Sequence, residues 1–151
     1  MLLRNLLLLG FISFLICGCS GGDGNQRPTA PVAVTVNYKG KPVEGATVQF
    51  VTVDDPTPAV GMTDASGNCS LTTYEANDGA IIGSNLVMIT KTEVDKKNVR
   101  PVAPEDLDLV GAGPPPILKN LIPAKYAMPG SSGLKEEVQS GQNTFTFDLK
   151  D

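Results

Sequence analysis

Hydrophobic positions along the chain fall into two regimes. The first is an apolar run from Leu6 to Ile16, interrupted only by Gly10 and Ser13, about half the ~20 residues that a membrane-spanning helix needs. Arg4 precedes it and the small residue Gly18 follows, the charged, apolar and small-residue order of a secretory signal. The second regime begins at Pro31 and has period two. In VAVTVNY, Val32, Val34, Val36 and Tyr38 share one face of a strand, and Ala33, Thr35 and Asn37 share the other. ATVQF repeats the pattern with Ala46, Val48 and Phe50 inward. The intervening KGKPVEG holds the glycines and proline of a turn, so these two runs are expected to pair antiparallel.

The same reading continues down the chain. DDPTPAVG, with its two prolines, reads as a loop. MTDASGNCSL reads as a hairpin around Asp64-Ala65-Ser66-Gly67, with Cys69 and Leu71 turned inward. LVMIT is more continuously apolar and suits a central strand. LKEEV and NTFTFDL flank Ser140-Gly141-Gln142 as a closing hairpin, with Phe145, Phe147 and Leu149 on one face. Short strands divided by turn residues, with almost no helical period, predict an all-β antiparallel sandwich or barrel. Lys91 to Gly133 does not follow the pattern. It contains Pro101, Pro104, Pro114, Pro115 and Pro116, and reads as an ordered but irregular insertion. Within it PEDLDLV is compatible with a helical turn that places Pro104 early.

Between the two regimes, SGGDGNQRPT is glycine-rich and polar and reads as a flexible tether. The chain is thus divided into a signal over 1–18, a cysteine and tether over 19–30, and one domain over 31–151. The junction Ile16-Cys17-Gly18-Cys19 resembles the bacterial lipobox, with an aliphatic residue three before a cysteine and a small residue directly before it. The resemblance implies that Cys19 becomes the mature first residue and carries acyl chains, while Cys17 leaves with the signal. A competing reading pairs Cys19 with Cys69 as a disulfide in a freely secreted protein. Ser20, rather than Asp, after the cysteine is compatible with onward transport to an outer membrane. The expected location is therefore exported and lipid-anchored, at the outer membrane or cell surface, facing the periplasm or the exterior.

Charge narrows the partners. The chain carries a formal net charge of −4, and removal of Arg4 with the signal makes it more acidic. Nucleic acid is disfavoured, because its phosphates require basic patches. A polybasic clamp on anionic lipid is disfavoured on the same ground. Membrane attachment is expected from covalent chains on Cys19, two or more of which anchor stably.

GKPVEGATVQF followed by GMTDASGNCSL resembles the transthyretin-like, carboxypeptidase regulatory-like domain of many small bacterial lipoproteins. Gly40, Pro42, Gly45, Ala46 and Val48 match its Gly-x-Pro-x-x-Gly-Ala-x-Val segment, and Thr63, Asp64 and Gly67 its Thr-Asp-x-x-Gly turn. The tail LIPAKYAMPGSSGLKEEVQSGQNTFTFDL is similar to the closing segment of such lipoproteins. The resemblance implies a seven-stranded antiparallel prealbumin-like sandwich and no activity. Two positions depart from the pattern. Gly83-Ser84-Asn85 stands where the family has Gly-x-Tyr, and Cys69 stands where a core aromatic or aliphatic residue is common.

Catalytic signals are sparse. The chain has no histidine, so Ser-His-Asp and Cys-His mechanisms lack their base. Hydroxyisourate hydrolase and intradiol dioxygenases, enzymes on related sandwiches, depend on histidine as well. A zinc site would be left with carboxylates and lone thiols, a poor ligand set. Cys69 lies between Asn68 and Ser70 on an inward position and reads as a small buried hydrophobe rather than a reactive thiol. Asp64, Ser66 and Asn68 have the spacing of calcium donors but lack the later glycine and glutamate of an EF-hand loop, and read as a turn. Asp54-Asp55, Asp106 with Asp108, and Glu136-Glu137 read as solvated charge. PGSSGL is not a nucleophile elbow. With no Trp, the aromatics able to meet a ligand are Tyr74 and Tyr126, whose competing role is to cover the ends of the sandwich. The expectation is a non-enzymatic envelope lipoprotein acting as a structural or protein-interaction module, without cofactor or metal. The alternative is a small-molecule or glycan-binding module that uses Tyr74 and Tyr126.

Overall fold

Alternating burial decides where each strand sits. The computed structural model describes residues 26–95 and 117–151. In chain order the strands are β1 (Thr29–Ala30), β2 (Val32–Tyr38), β3 (Lys41–Pro42), β4 (Thr47–Thr52), β5 (Asp55–Met62) and β6 (Asn68–Ser70). They continue with β7 (Ala80–Ile81), β8 (Gly83–Thr90), β9 (Thr92–Val94), β10 (Leu118–Asn120), β11 (Leu134–Val138) and β12 (Asn143–Leu149). A 3-10 turn, Ala124–Ala127, and one helical turn, Pro129–Ser132, lie between β10 and β11.

The fold is an all-β sandwich. One sheet runs β11-β8-β4-β5, all antiparallel. In the other, β2 is central, with β12 on one side and β3 and β6 on the other. Val32, Val34 and Val36 of β2 and Phe147 and Leu149 of β12 meet Val48, Phe50, Val87 and Ile89 in one core. Rings bridge the two layers. Phe50 lies 5.7 Å from Phe145 and 6.2 Å from Phe147, centroid to centroid, a range in which aromatic pairs attract beyond simple burial.

The inward faces are those expected from the alternation, but several pairings are not. β2 and β4 do not form a hairpin. β3 takes up the tight return on β2, with Tyr38 opposite Lys41, and the chain then crosses to the other sheet, where the Gly45 N–H donates to the Thr63 carbonyl. DDPTPAVG is not a loop; it forms most of β5. Its prolines are tolerated because β5 is an edge strand and need not donate on both sides. The Asp64–Gly67 turn is present, closed by Gly67 N–H to Asp64 carbonyl at 2.9 Å, but its arms enter different sheets. The last two strands likewise separate. β11 pairs with β8, while β12 lies parallel to β2 over seven residue pairs, so the sandwich is not wholly antiparallel.

The expected insertion has structure at both ends. β9 and β10 form a ladder, Val94 opposite Leu118, and the 3-10 turn places Tyr126 in the core. PEDLDLV lies outside the described residues. At the other end of the domain, the chain joins the sandwich before Pro31: β1 pairs with β7, and the Ile82 N–H donates to the Pro28 carbonyl. Gly79 permits that entry. Its φ is +89°, and a Cβ there would fall 1.8 Å from the Ala30 carbonyl oxygen.

Buried polar groups are matched to backbone. The Thr63 hydroxyl accepts from the Ala46 N–H at 2.8 Å and donates to the Val43 carbonyl. Asn85, 1% exposed in the row of Val87 and Ile89, donates to the Ile81 and Gly83 carbonyls at 2.9 Å. Asn85, which stands where the resembled Gly-x-Tyr pattern has its tyrosine, is therefore a backbone tie. Asn143 donates to the Gln139 and Gly141 carbonyls and accepts from the Gln139 N–H, which fixes the turn into β12.

Candidate functional site

Tyr74 and Tyr126, the residues expected to meet a ligand, do not converge. Cys19, with the signal and most of the tether, lies outside the described residues. Tyr74 is half-buried beside an open cleft of about 430 Å³ formed with Arg27, Pro28, Glu75 and Asp78. Its hydroxyl accepts the Arg27 N–H at 3.3 Å. Tyr126 does not line that cleft. It is 7% exposed, its hydroxyl donates to the Lys150 carbonyl and accepts the Lys150 N–H, and no free polar tip is left for a ligand.

Other candidate groups are occupied locally. Asp64 accepts the N–H groups of Ser66 and Asn68 in its own turn. Asp78 accepts those of Thr73, Tyr74 and Glu75. Asp55 accepts the Thr57 N–H, a bond that holds its carboxyl below the ordinary range. Glu136 and Glu137 are successive residues of β11 and point to opposite faces. Among the described residues no three His, Cys, Asp or Glu side chains gather to hold a metal ion. Cys69 is half-buried against the core, and desolvation pushes its thiol up to about 11, the opposite of what a nucleophilic cysteine needs. None of the described helices is long and apolar enough to cross a membrane.

The backbone offers more than the side chains. An exposed sheet edge presents unpaired N–H and C=O groups, and proteins usually blunt it with proline, charge or a bulge. β5 has Pro56, Pro58 and a register shift opposite Phe50–Thr52. β11 has exposed Lys135 and Glu137. β12, NTFTFDL, is regular over its length, has no proline or lysine, and ends its sheet.

The ladder fixes which groups of β12 face outward. Asn143 donates to the Pro31 carbonyl and the Leu149 carbonyl accepts from Lys39, so the odd-numbered residues bond toward β2. Thr144, Thr146 and Asp148 therefore direct their N–H and C=O groups away from the sheet. Among the described residues no strand pairs with them. Tyr126 closes one end of this edge at Lys150, which explains why its ring is buried and its hydroxyl is consumed. Past it, the Asp151 carboxylate pairs with Lys39 at 2.8 Å and accepts the Tyr38 hydroxyl. No protein-family model, curated protein or solved structure matches the chain.

Proposed function

We propose that the chain is an envelope lipoprotein whose sandwich is a non-enzymatic protein-interaction module. In this reading Cys19 carries the lipid, the chain is held at the outer membrane or cell surface, and the domain faces the periplasm or the exterior. The observation that carries the module reading is the regular, unguarded edge of β12. The prealbumin-like topology belongs to the same proposal. Setting aside the two-residue strands and the β9/β10 ladder leaves seven strands, β2, β4, β5, β6, β8, β11 and β12, in sheets of three and four.

Joining the sandwich at Arg27 leaves only a short tether after Cys19. Seven residues, Ser20 to Gln26, reach roughly 25 Å when fully extended, which keeps the domain close to its membrane. Metabolic labelling with a palmitate analogue tests the anchor: label is expected on the wild-type chain and lost in Cys19→Ala, and unchanged labelling of that variant sinks the lipoprotein reading. The small-molecule or glycan reading keeps Tyr74 and its cleft and loses Tyr126. Specific retention on a glycan array that disappears in Tyr74→Ala would put it ahead of the interaction module.

A further inference from the structure

We infer that the open edge of β12 pairs with the β12 edge of a second copy of this chain, antiparallel and centred on Thr146. The inference rests on the reading of the domain as an interaction module and names its partner. The first ground is register. The outward groups sit at Thr144, Thr146 and Asp148, a set symmetric about Thr146. A twofold axis there pairs Thr146 with its own copy and Thr144 with the partner's Asp148. Each pair exchanges two N–H···O bonds, the pattern of an antiparallel ladder, so the outward groups of this strand are satisfied by the same groups on another.

The second ground is side-chain chemistry. Thr144, Thr146 and Asp148 are exposed on the outer face. In this register threonine faces threonine, and each aspartate faces threonine rather than aspartate, so no like charges stand opposite one another. On the inner face Phe145 is only half-buried, although its ring lies against Phe50. The register sets it opposite the partner's Phe147, next to the core it already lines. The third ground is contrast, since β5 and β11 carry prolines and charges and β12 carries neither device at its centre. Tyr126, bonded at Lys150, bounds the pairing at one end and favours a short ladder.

Register-specific cross-linking of the full lipidated chain in its membrane tests this. In a Cys69→Ala background, Thr146→Cys places two thiols across the axis with Cα atoms about 5.5 Å apart, within disulfide reach. Thr144→Cys alone places them four residues apart along the ladder, about 13 Å, and should not cross-link. Thr144→Cys mixed with Asp148→Cys should. As a second measure, Thr146→Lys sets like charges across the axis at an exposed position and should weaken the dimer about tenfold or more in sedimentation of the solubilised chain. Cross-linking absent at Thr146, or equal at Thr144 and Thr146, overturns the inference, as does a dimer that Thr146→Lys leaves intact. A monomer that retains another envelope protein only while Thr146 is unchanged removes the second copy and keeps the module. A monomer that retains nothing removes both.

Discussion

Thr63 shows how much one hydroxyl can hold. It is 3% exposed and joins the Ala46 N–H to the Val43 carbonyl, on either side of the step between the two sheets. Thr63→Val keeps the shape and removes both partners, so the variant should lose about 1–3 kcal/mol, the cost of orphaned buried groups, read from its denaturation midpoint. Cys69 gives a pH test. Burial and, next, the charge of Asp64 raise its pKa from 9.0 to about 11, so alkylation of the folded chain at pH 8 should be far slower than in denaturant. Its folded pKa lies above the unfolded one, and its contribution to stability is therefore full below about 9 and lost as pH rises toward about 11. Strand alternation turns Cys69 inward as a small buried residue, and the fold leaves it half-buried against the core. Asn85 was visible only as a mismatch to a family pattern, because nothing local in Gly-Ser-Asn shows that its amide will find two carbonyls.

At the scale of elements, faces were legible and partners were not. Alternation sets which residues of β2, β4 and β12 turn inward, since successive side chains must oppose. It says nothing of which strand lies alongside, and Ser140-Gly141-Gln142 reads the same whether its arms share a sheet or divide between two. β5 was hidden by a penalty that applies only in mid-sheet, as its prolines cost little at an edge. The attachment of β1 depends on a close approach that the sequence does not announce. Gly79→Ala would drive a Cβ into the Ala30 carbonyl at a positive φ, so the variant should release β1 while the two main sheets persist. Hydrogen exchange checks this through loss of protection at the Ile82 N–H, which donates to Pro28.

Across the whole molecule, the candidate site was legible in part. An all-β sandwich follows from strand alternation and turn residues, whereas an open edge depends on which strands end their sheets. For Tyr126 the sequence offers either ligand contact or cover for an end of the sandwich, and the fold buries its ring and bonds its hydroxyl at Lys150. The pairing of β2 with β12 also bears on how the protein is made. Asn37 and Asp148 are bonded across 111 residues, and the central strand of one sheet lacks a full-length neighbour until β12 arrives. Closing so long a loop is slow and entropically costly. The sheet around β2 is therefore completed late, with β2 waiting for β12. In any chain cut short before β12, β2 and its Asn37 would then be left without their long partner.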